Sequence, residues 1–346
     1  MPQPTTLTCV IPCLNEEANL QVLLPLLTTV LDSLSLEYEV IVVDDGSTDG
    51  TSAAMHVLAA RHPEIVYMQL SRNFGKEAAL TAGLEAARGQ VVVCMDADLQ
   101  HPPTLIPQML ERWQAGAEMV YAVRATRDDE SVFKRVGTRF FYKLMRTSGG
   151  LQVPENAGDF RLMDKVVVDA LLRLPERNRF MKGLFAWVGF RAEPMLYSPP
   201  ERLHGQSTFK PFKLFRFAID GITAFTTWPL RMLSLMGICL SLLSFAYGLF
   251  IIVTNLMYGN PVQGWATLIT VVLFFAGVQL ISVGVLGEYI ARIFGEVKNR
   301  PVYLVRQQCG RGLIQEAGLA PRLGRLGFSP ECPKPAKNEG HTGDRD

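Results

Sequence analysis

The sequence predicts an α/β protein, a mostly parallel sheet covered by helices on both faces, followed by a two-helix transmembrane hairpin. Three observations lead there. Short apolar, β-rich runs alternate with helical patterns from residue 1 to about 208. None of the 56 residues from Met232 to Gly287 is Asp, Glu, Lys, Arg or His. The 346 residues are 48% hydrophobic and only 19% charged, with a mean hydropathy of +0.16. A wholly soluble protein is therefore excluded, and so is disorder of the whole chain. The net charge of +1, from 34 basic and 33 acidic residues, gives no argument for nucleic acid as a partner.

Strands are expected at Leu7–Ile11, Val40–Val43, Ile65–Leu70, Val91–Met95 and Met119–Val123. Helical patterns lie between them, at Glu17–Leu31, Ala78–Arg88 and Pro103–Ala115. In such a sheet, ligands bind at the carboxyl ends of the strands. The N-terminus lacks a basic n-region and a long apolar h-region, so no signal peptide is read and residues 1–208 are expected in the cytosol. The cysteines at 9, 13, 94, 239, 309 and 332 form no CxxC pair and no zinc-spaced cluster. Cys9 and Cys13 flank a strand end and read as buried free thiols.

Residues 209–230 interleave Lys210, Lys213 and Arg216 with Phe209, Phe212, Phe215 and Phe217. This reads as a juxtamembrane segment lying in the interface rather than as a helix packed on the domain. Residues 231–288 hold two spans, about 232–254 and 266–287, each reaching roughly 33 Å at the helical rise, enough for a hydrocarbon core of about 30 Å. A turn signal, Tyr258-Gly259-Asn260-Pro261, separates them. The connecting loop has no Lys or Arg. Lys210, Lys213, Arg216 and Arg231 precede the hairpin, and Arg292, Lys298, Arg300 and Arg306 follow it. The positive-inside rule puts both termini on the cytoplasmic side. Gly237, Ser241, Ser244 and Gly248 form a small-residue stripe that suits packing of the hairpin on itself, and Gln279 suits a hydrogen bond between helices. Residues 289–309 read as a cytoplasmic juxtamembrane segment and 310–346 as a poorly ordered tail.

Two acidic clusters follow expected strands: Asp44-Asp45-Gly46-Ser47-Thr48-Asp49, and Asp96-Ala97-Asp98-Leu99-Gln100. Asp49 suits a helix cap or a turn. Asp96 and Asp98, two apart, would point the same way if extended, and like charges that close call for a cation. Oxygen ligands select Mg²⁺ or Mn²⁺, which typically bridge to substrate phosphates. There is no GxGxxG, the only GxG (Gly310, Gly312) being in the tail, and no GxxxxGK[ST], so dehydrogenase and P-loop phosphate cradles are lacking. No Ser-His-Asp or GxSxG arrangement is evident, and the five histidines are too dispersed to suggest a triad or zinc site.

Several segments in order carry a resemblance: VIPCLNEE (10–17), VVDDGSTDGT (42–51), SRNFGKEAALTAGLEAARG (71–89), MDADLQHPP (95–103), GDFRLM (158–163), LPERNRFMKG (174–183) and LGEYIARIFGEVKNRP (286–301). The chain resembles family 2 glycosyltransferases acting on polyprenyl phosphates, most closely the bacterial bactoprenol (undecaprenyl-phosphate) glucosyltransferases, from about residue 7 to 307. Dolichyl-phosphate mannose synthases and the aminoarabinose transferase of lipid A modification resemble it more distantly. The resemblance implies a GT-A fold and inverting transfer of one sugar from a UDP-sugar donor to undecaprenyl phosphate. It implies a nucleotide-sugar site of Pro12, Glu16, Asp45, Lys76, Asp96 and Gln100, with Asp96, Asp98 and Gln100 at the metal. Asp98 and Asp159 would be catalytic, Asp159 either as base or as a positioning residue. The acceptor phosphate would meet Arg124, Lys134, Arg135, Arg202 and Ser207. The motif usually written ERxxGxSKF matches 201–209, with Thr208 in place of the customary Lys.

The expected protein is thus a transferase of a bacterial cytoplasmic membrane, with glucose as the expected sugar. The same chemistry with N-acetylglucosamine, mannose, galactose or an aminoarabinose-type sugar is the alternative. A processive polysaccharide synthase would carry QxxRW and more spans; Gln108 and Arg112-Trp113 have one spacer too many. A non-catalytic scaffold or small transporter subunit would not need carboxylates at both strand ends. The lipid bilayer, a flippase and a downstream glycosyltransferase are expected partners, and a homo-oligomer is left open.

Overall fold

The computed structural model describes residues 5–124, 157–177, 179–197, 228–258 and 264–313. These fall into two compact units. One contains the described residues up to 197 together with those from 300 onward; the other contains the two long helices.

The first unit is built on an eight-stranded sheet of order β7-β5-β6-β4-β1-β2-β3-β8. Its first four strands are β1 (Thr6–Cys13), β2 (Glu37–Asp44), β3 (Ile65–Leu70) and β4 (Val91–Cys94). They form a parallel core in which β1 pairs with β2 and β4, and β2 with β3. Their near-unbroken apolar runs reflect burial on both faces. Pairing of β4 with β1 stops at Val10, so Pro12, which cannot donate, costs the sheet no ladder bond there. Helix α1 (Glu17–Ser33) buries Leu20, Leu23, Leu24, Leu27 and Leu31, a helical stripe that joins Leu7, Cys9 and Ile11 in one core cluster. Val10 points to the other face, where Gly83 of α3 (Lys76–Ala86) lies so close that a Cβ would strike the Val10 Cγ1. The strand period of two thereby separates α1 from α3 across the sheet.

Helix α2 (Thr51–Arg61) precedes β3, and a 3₁₀ turn (Pro103–Leu105) leads into α4 (Ile106–Gln114). Then follow β5 (Met119–Arg124), β6 (Ala157–Asp164), α5 (Lys165–Leu172), α6 (Met181–Trp187) and β7 (Ala192–Tyr197). Asp164 caps α5 by accepting from the Val166 N–H at 2.9 Å. Strand β6 runs antiparallel to both β4 and β5, while β7 is parallel to β5. Four of the seven pairings are parallel, in keeping with a mostly parallel sheet. The alternating pattern pointed to the first five strands but not to β6 and β7. Strand β6 has a polar start, Gly158-Asp159, and β7 is a half-exposed edge strand. Cys9, Cys13 and Cys94 are buried free thiols.

In the second unit, α7 (Trp228–Tyr258) and α8 (Trp265–Val297) extend past the expected spans and touch each other. Leu242, Phe250, Leu280 and Ile281 are all more than 60% exposed, an apolar surface of the kind that a membrane or a partner covers. Among the described residues, Phe274–Val297 is long and apolar enough to cross a membrane.

The chain downstream of α8 differs from the expected juxtamembrane segment. Residues Val305–Cys309 form β8, antiparallel to β3 at the sheet edge. Its sequence, VRQQC, is short and polar, and its partner lies more than 230 residues away, so no local pattern announces it.

Candidate active site

The carboxyl ends of β1, β2 and β4 open onto three loops, of which the first two are joined by hydrogen bonds. After β1, Asn15 takes a positive φ of 56°, and its N–H donates to Ser47 Oγ at 2.9 Å. Its side-chain Oδ1 accepts from the Thr48 N–H at 2.8 Å. Glu16 follows; its N–H donates to Thr51 Oγ1 at 3.1 Å, and its carboxylate accepts from Asn19 at 2.6 Å. Burial raises the Glu16 pKa, the Asn19 hydrogen bond opposes this, and the negative charges of Asp98, Asp49 and Asp96 add to the rise.

After β2 the two aspartates divide their work. Asp44 is fully buried, accepting from Tyr67 at 2.7 Å, Gln69 at 3.3 Å and the Ser47 N–H at 2.7 Å. Asp45 accepts the N–H groups of Phe74 at 2.7 Å and Gly75 at 2.9 Å, clamping the loop before α3. Burial raises the Asp45 pKa against those two hydrogen bonds. Gly46 has φ +76°, and a Cβ there would lie 2.7 Å from the Arg72 carbonyl carbon, so only glycine allows this approach.

Strand β4 ends at Cys94, so Asp96 and Asp98 lie beyond it, in the loop that follows. A turn gathers them. Leu99 adopts φ 61°, and the Gln100 N–H donates to Asp98 Oδ1 at 3.1 Å. Ligand atoms of Asp96, Asp98 and His101 all lie within 4.8 Å of one another. His101 is buried, stacks on Phe160 at 5.0 Å, and accepts the Asp96 N–H on Nδ1 at 3.3 Å. Two carboxylates and an imidazole fit the oxygen-rich donor set of Mg²⁺ or Mn²⁺. Gln100 is buried. His101 was passed over in the sequence because the five histidines are scattered; the signal was its place three residues after Asp98.

Strand register brings in Asp159. Cys94 pairs with Arg161 on antiparallel β6, so the start of β6, which carries Asp159, runs past the end of β4 on the side where the Asp96 turn begins. Lys76, at the start of α3, completes the group: its Nζ lies 2.6 Å from Asp96 Oδ1 and 2.5 Å from Asp159 Oδ2. Burial alone would raise the Asp159 pKa, but Lys76, Lys182 and Arg161 outweigh it and hold the carboxyl well below its usual range. The Lys76 ammonium is disfavoured by burial, yet Asp159 and Asp96 carry its pKa above the ordinary lysine value. Arg161 is buried, with its guanidinium 3.5 Å above the Phe185 ring and donating to the Gly158 carbonyl at 2.8 Å. Glu77, beside Lys76, is pushed up to about 7 by burial and by Asp159. Glu77 and Lys182 were not singled out in the sequence, although each lies inside a quoted motif.

Pro12, Glu16, Asp45, Lys76, Asp96, Asp98, Gln100 and Asp159 thus occupy one end of the sheet or the loops at that end. Arg124 ends β5, and its backbone alone is described. Lys134, Arg135, Arg202, Ser207 and Thr208 lie outside the described residues.

Comparison with known proteins gives two family matches. Residues 8–172 match "Glycosyl transferase family 2", and residues 228–293 match "GtrB C-terminal hairpin". A glycosyltransferase of Synechocystis sp., sll0501, is 46% identical over 88% of this chain and 96% of its own length. The SfII prophage-derived bactoprenol glucosyl transferase of Shigella flexneri is 43% identical over 87% of this chain and 97% of that one. A prophage bactoprenol glucosyl transferase homolog of Escherichia coli is 40% identical over 87% of this chain and 98% of that one.

Proposed function

Because the chain belongs to glycosyl transferase family 2, in the group of the bactoprenol glucosyl transferases, we propose that it transfers one glucose from UDP-glucose to undecaprenyl phosphate at the cytoplasmic face of a bacterial inner membrane. Glucose transfer to a polyprenyl phosphate follows from relatives matched along nearly their whole length, catalytic part and hairpin alike. The observation in the molecule that carries the chemistry is the Asp96–Asp98–His101 group beside the Lys76–Asp159 pair.

In the reaction an oxygen of the acceptor phosphate attacks C1 of the sugar from the face opposite UDP. The C1–O bond to UDP breaks, its electron pair leaves with the diphosphate, and the anomeric configuration inverts. Asp96 and Asp98, with His101 and Gln100 beside them, would hold Mg²⁺ or Mn²⁺, which when bound offsets charge on the departing diphosphate. Asp45 and Glu16 border the place proposed for the nucleoside.

Asp159 acts as a positioning residue. A phosphate monoester has its second pKa near about 6, so much of the acceptor is already a dianion at neutral pH. It can attack without losing a proton. A carboxylate held far below neutrality is also a poor proton acceptor there. Asp159 instead fixes Lys76, whose side chain is 45% exposed and lies where an anionic substrate oxygen could meet it. Arg124, Lys134, Arg135, Arg202 and Ser207 are proposed for the acceptor phosphate, where a guanidinium fork suits its oxygens. A glycosyl lipid made on the cytoplasmic leaflet needs a flippase and a second transferase before use outside, and these are the expected partners.

The test offers purified protein a panel of radiolabelled nucleotide sugars with undecaprenyl phosphate. A single glucosyl lipid, formed only with divalent metal, is expected. A long polymer would instead indicate a synthase, and no transfer together with no UDP binding would indicate a scaffold.

A further inference from the structure

Strand β8 reaches the loops at the carboxyl end of the sheet by two routes. Through the backbone, the Ser71 N–H donates to the Leu304 carbonyl at 2.8 Å, just before β8 and just before the 72–75 loop that Asp45 clamps. Through side chains, Gln307 stands opposite Gln69 in the β3–β8 register, and its amide donates to Gln69 Oε1 at 3.0 Å. The Gln69 amide donates in turn to Asp44 Oδ2 at 3.3 Å. Asp44 accepts the Ser47 N–H, and Ser47 accepts the Asn15 N–H. The second amide hydrogen of Gln307 faces His56 Nε2 at 3.1 Å. His56 is kept neutral by burial, so that nitrogen can accept while Nδ1 faces Cys309 Sγ at 3.8 Å.

The path has one polarity. Gln307 donates to Gln69, and Gln69, accepting from Gln307, donates to Asp44, so the path ends on a fully buried carboxylate. Such chains polarise and strengthen their members. Breaking one link leaves a buried acceptor unmatched, and the groups nearest the anion then rearrange. Asp44 directly precedes Asp45 and orients Ser47, so rearrangement would be felt in the loop after β2.

We infer that Gln307 is a positioning residue for the nucleotide of the donor, acting through Gln69 and Asp44, so that the strand following the hairpin is part of the donor site. The inference rests on the reading that the Asp45–Thr48 loop borders the nucleoside. It adds to that reading a residue more than 250 positions away in sequence.

The experiment measures UDP binding to the full-length, detergent-solubilised protein by calorimetry, with steady-state kinetics alongside. Gln307→Met keeps the length and removes the amide. It should weaken UDP binding about three- to tenfold, the loss of one hydrogen bond's worth of ordering. KM for the UDP-sugar should rise by the same factor, with kcat changed less than about twofold. Gln69→Met should do the same, and the double variant should be no worse than either single one, since both act along one path. Gln308→Met, on the opposite face of β8, should bind UDP as the parent does. A purely structural role would lower the thermal midpoint of Gln307→Met and leave UDP affinity unchanged; that result, or additive losses in the double variant, overturns the inference. If Gln307→Met fails to fold, Gln307→Asn, which keeps the amide but shortens its reach, must show the weakened binding. A parent protein that does not bind UDP would overturn the donor-site reading itself, and the inference with it.

Discussion

The Lys76 ammonium lies 2.5 Å from Asp159 Oδ2 and 2.6 Å from Asp96 Oδ1, so one side chain ties strand β6 to the Asp96–Asp98 turn. Asp159 is thereby a counter-ion before it is anything else.

Asp159→Asn should lower kcat on the order of 10²-fold, since Lys76 loses its partner and its aim. The acid limb of the pH–rate profile, set near about pH 6 by the acceptor phosphate, should persist in the variant. Disappearance of that limb in the variant, when the parent shows it, would make Asp159 the base.

Asp98→Asn should cut turnover about 10²-fold or more while the protein still folds, because the charge set against the departing diphosphate is weakened. His101→Ala should weaken Mn²⁺ binding measured without substrate, as it removes a donor within 4.8 Å of both carboxylates. Unchanged Mn²⁺ affinity in both variants would move the metal elsewhere.

Glu77 supplies a pH signature. Its pKa is raised from 4.5 to about 7 by burial first and then by the charge of Asp159, against the attraction of Lys76, the Met181 N–H and Lys182. An acid raised in the folded state binds its proton more tightly folded than unfolded. Stability from Glu77 is therefore present at low pH and is lost as pH climbs from about 4.5 through 7. Glu77→Gln should gain thermal stability over the parent by about 2 °C or more at pH 8 and gain little at pH 5. Melting curves at the two pH values decide it, and an equal offset at both would contradict the shift.

Topology follows from the Lys/Arg asymmetry around the hairpin. A cysteine introduced at 258–265, in a background lacking Cys239, should react with an impermeant thiol reagent added from outside intact cells or spheroplasts. Labelling from the cytoplasmic side alone would reverse the assignment.

The parallel core was legible because its strands are short, apolar and buried on both faces, a pattern visible within a few residues. The ends of β1, β2 and β4 followed, and with them Asp45, Asp96 and Asp98. The hairpin was legible for a related reason. A run of 56 residues without a charge has no other stable home.

What only the tertiary structure decided depends on long-range register. Asp159 reaches Asp96 because β6 runs antiparallel beside β4 with Arg161 opposite Cys94. Lys76 bridges the two because α3 begins where the Asp45 clamp on Phe74 and Gly75 releases the chain. Strand β8 joins β3 across more than 230 residues and brings Gln307 onto Gln69. Local sequence dictates which segments bury apolar surface, because that preference belongs to each segment. Which polar side chains meet is set by how the strands pair, and the energy of pairing lies in contacts that no single segment contains.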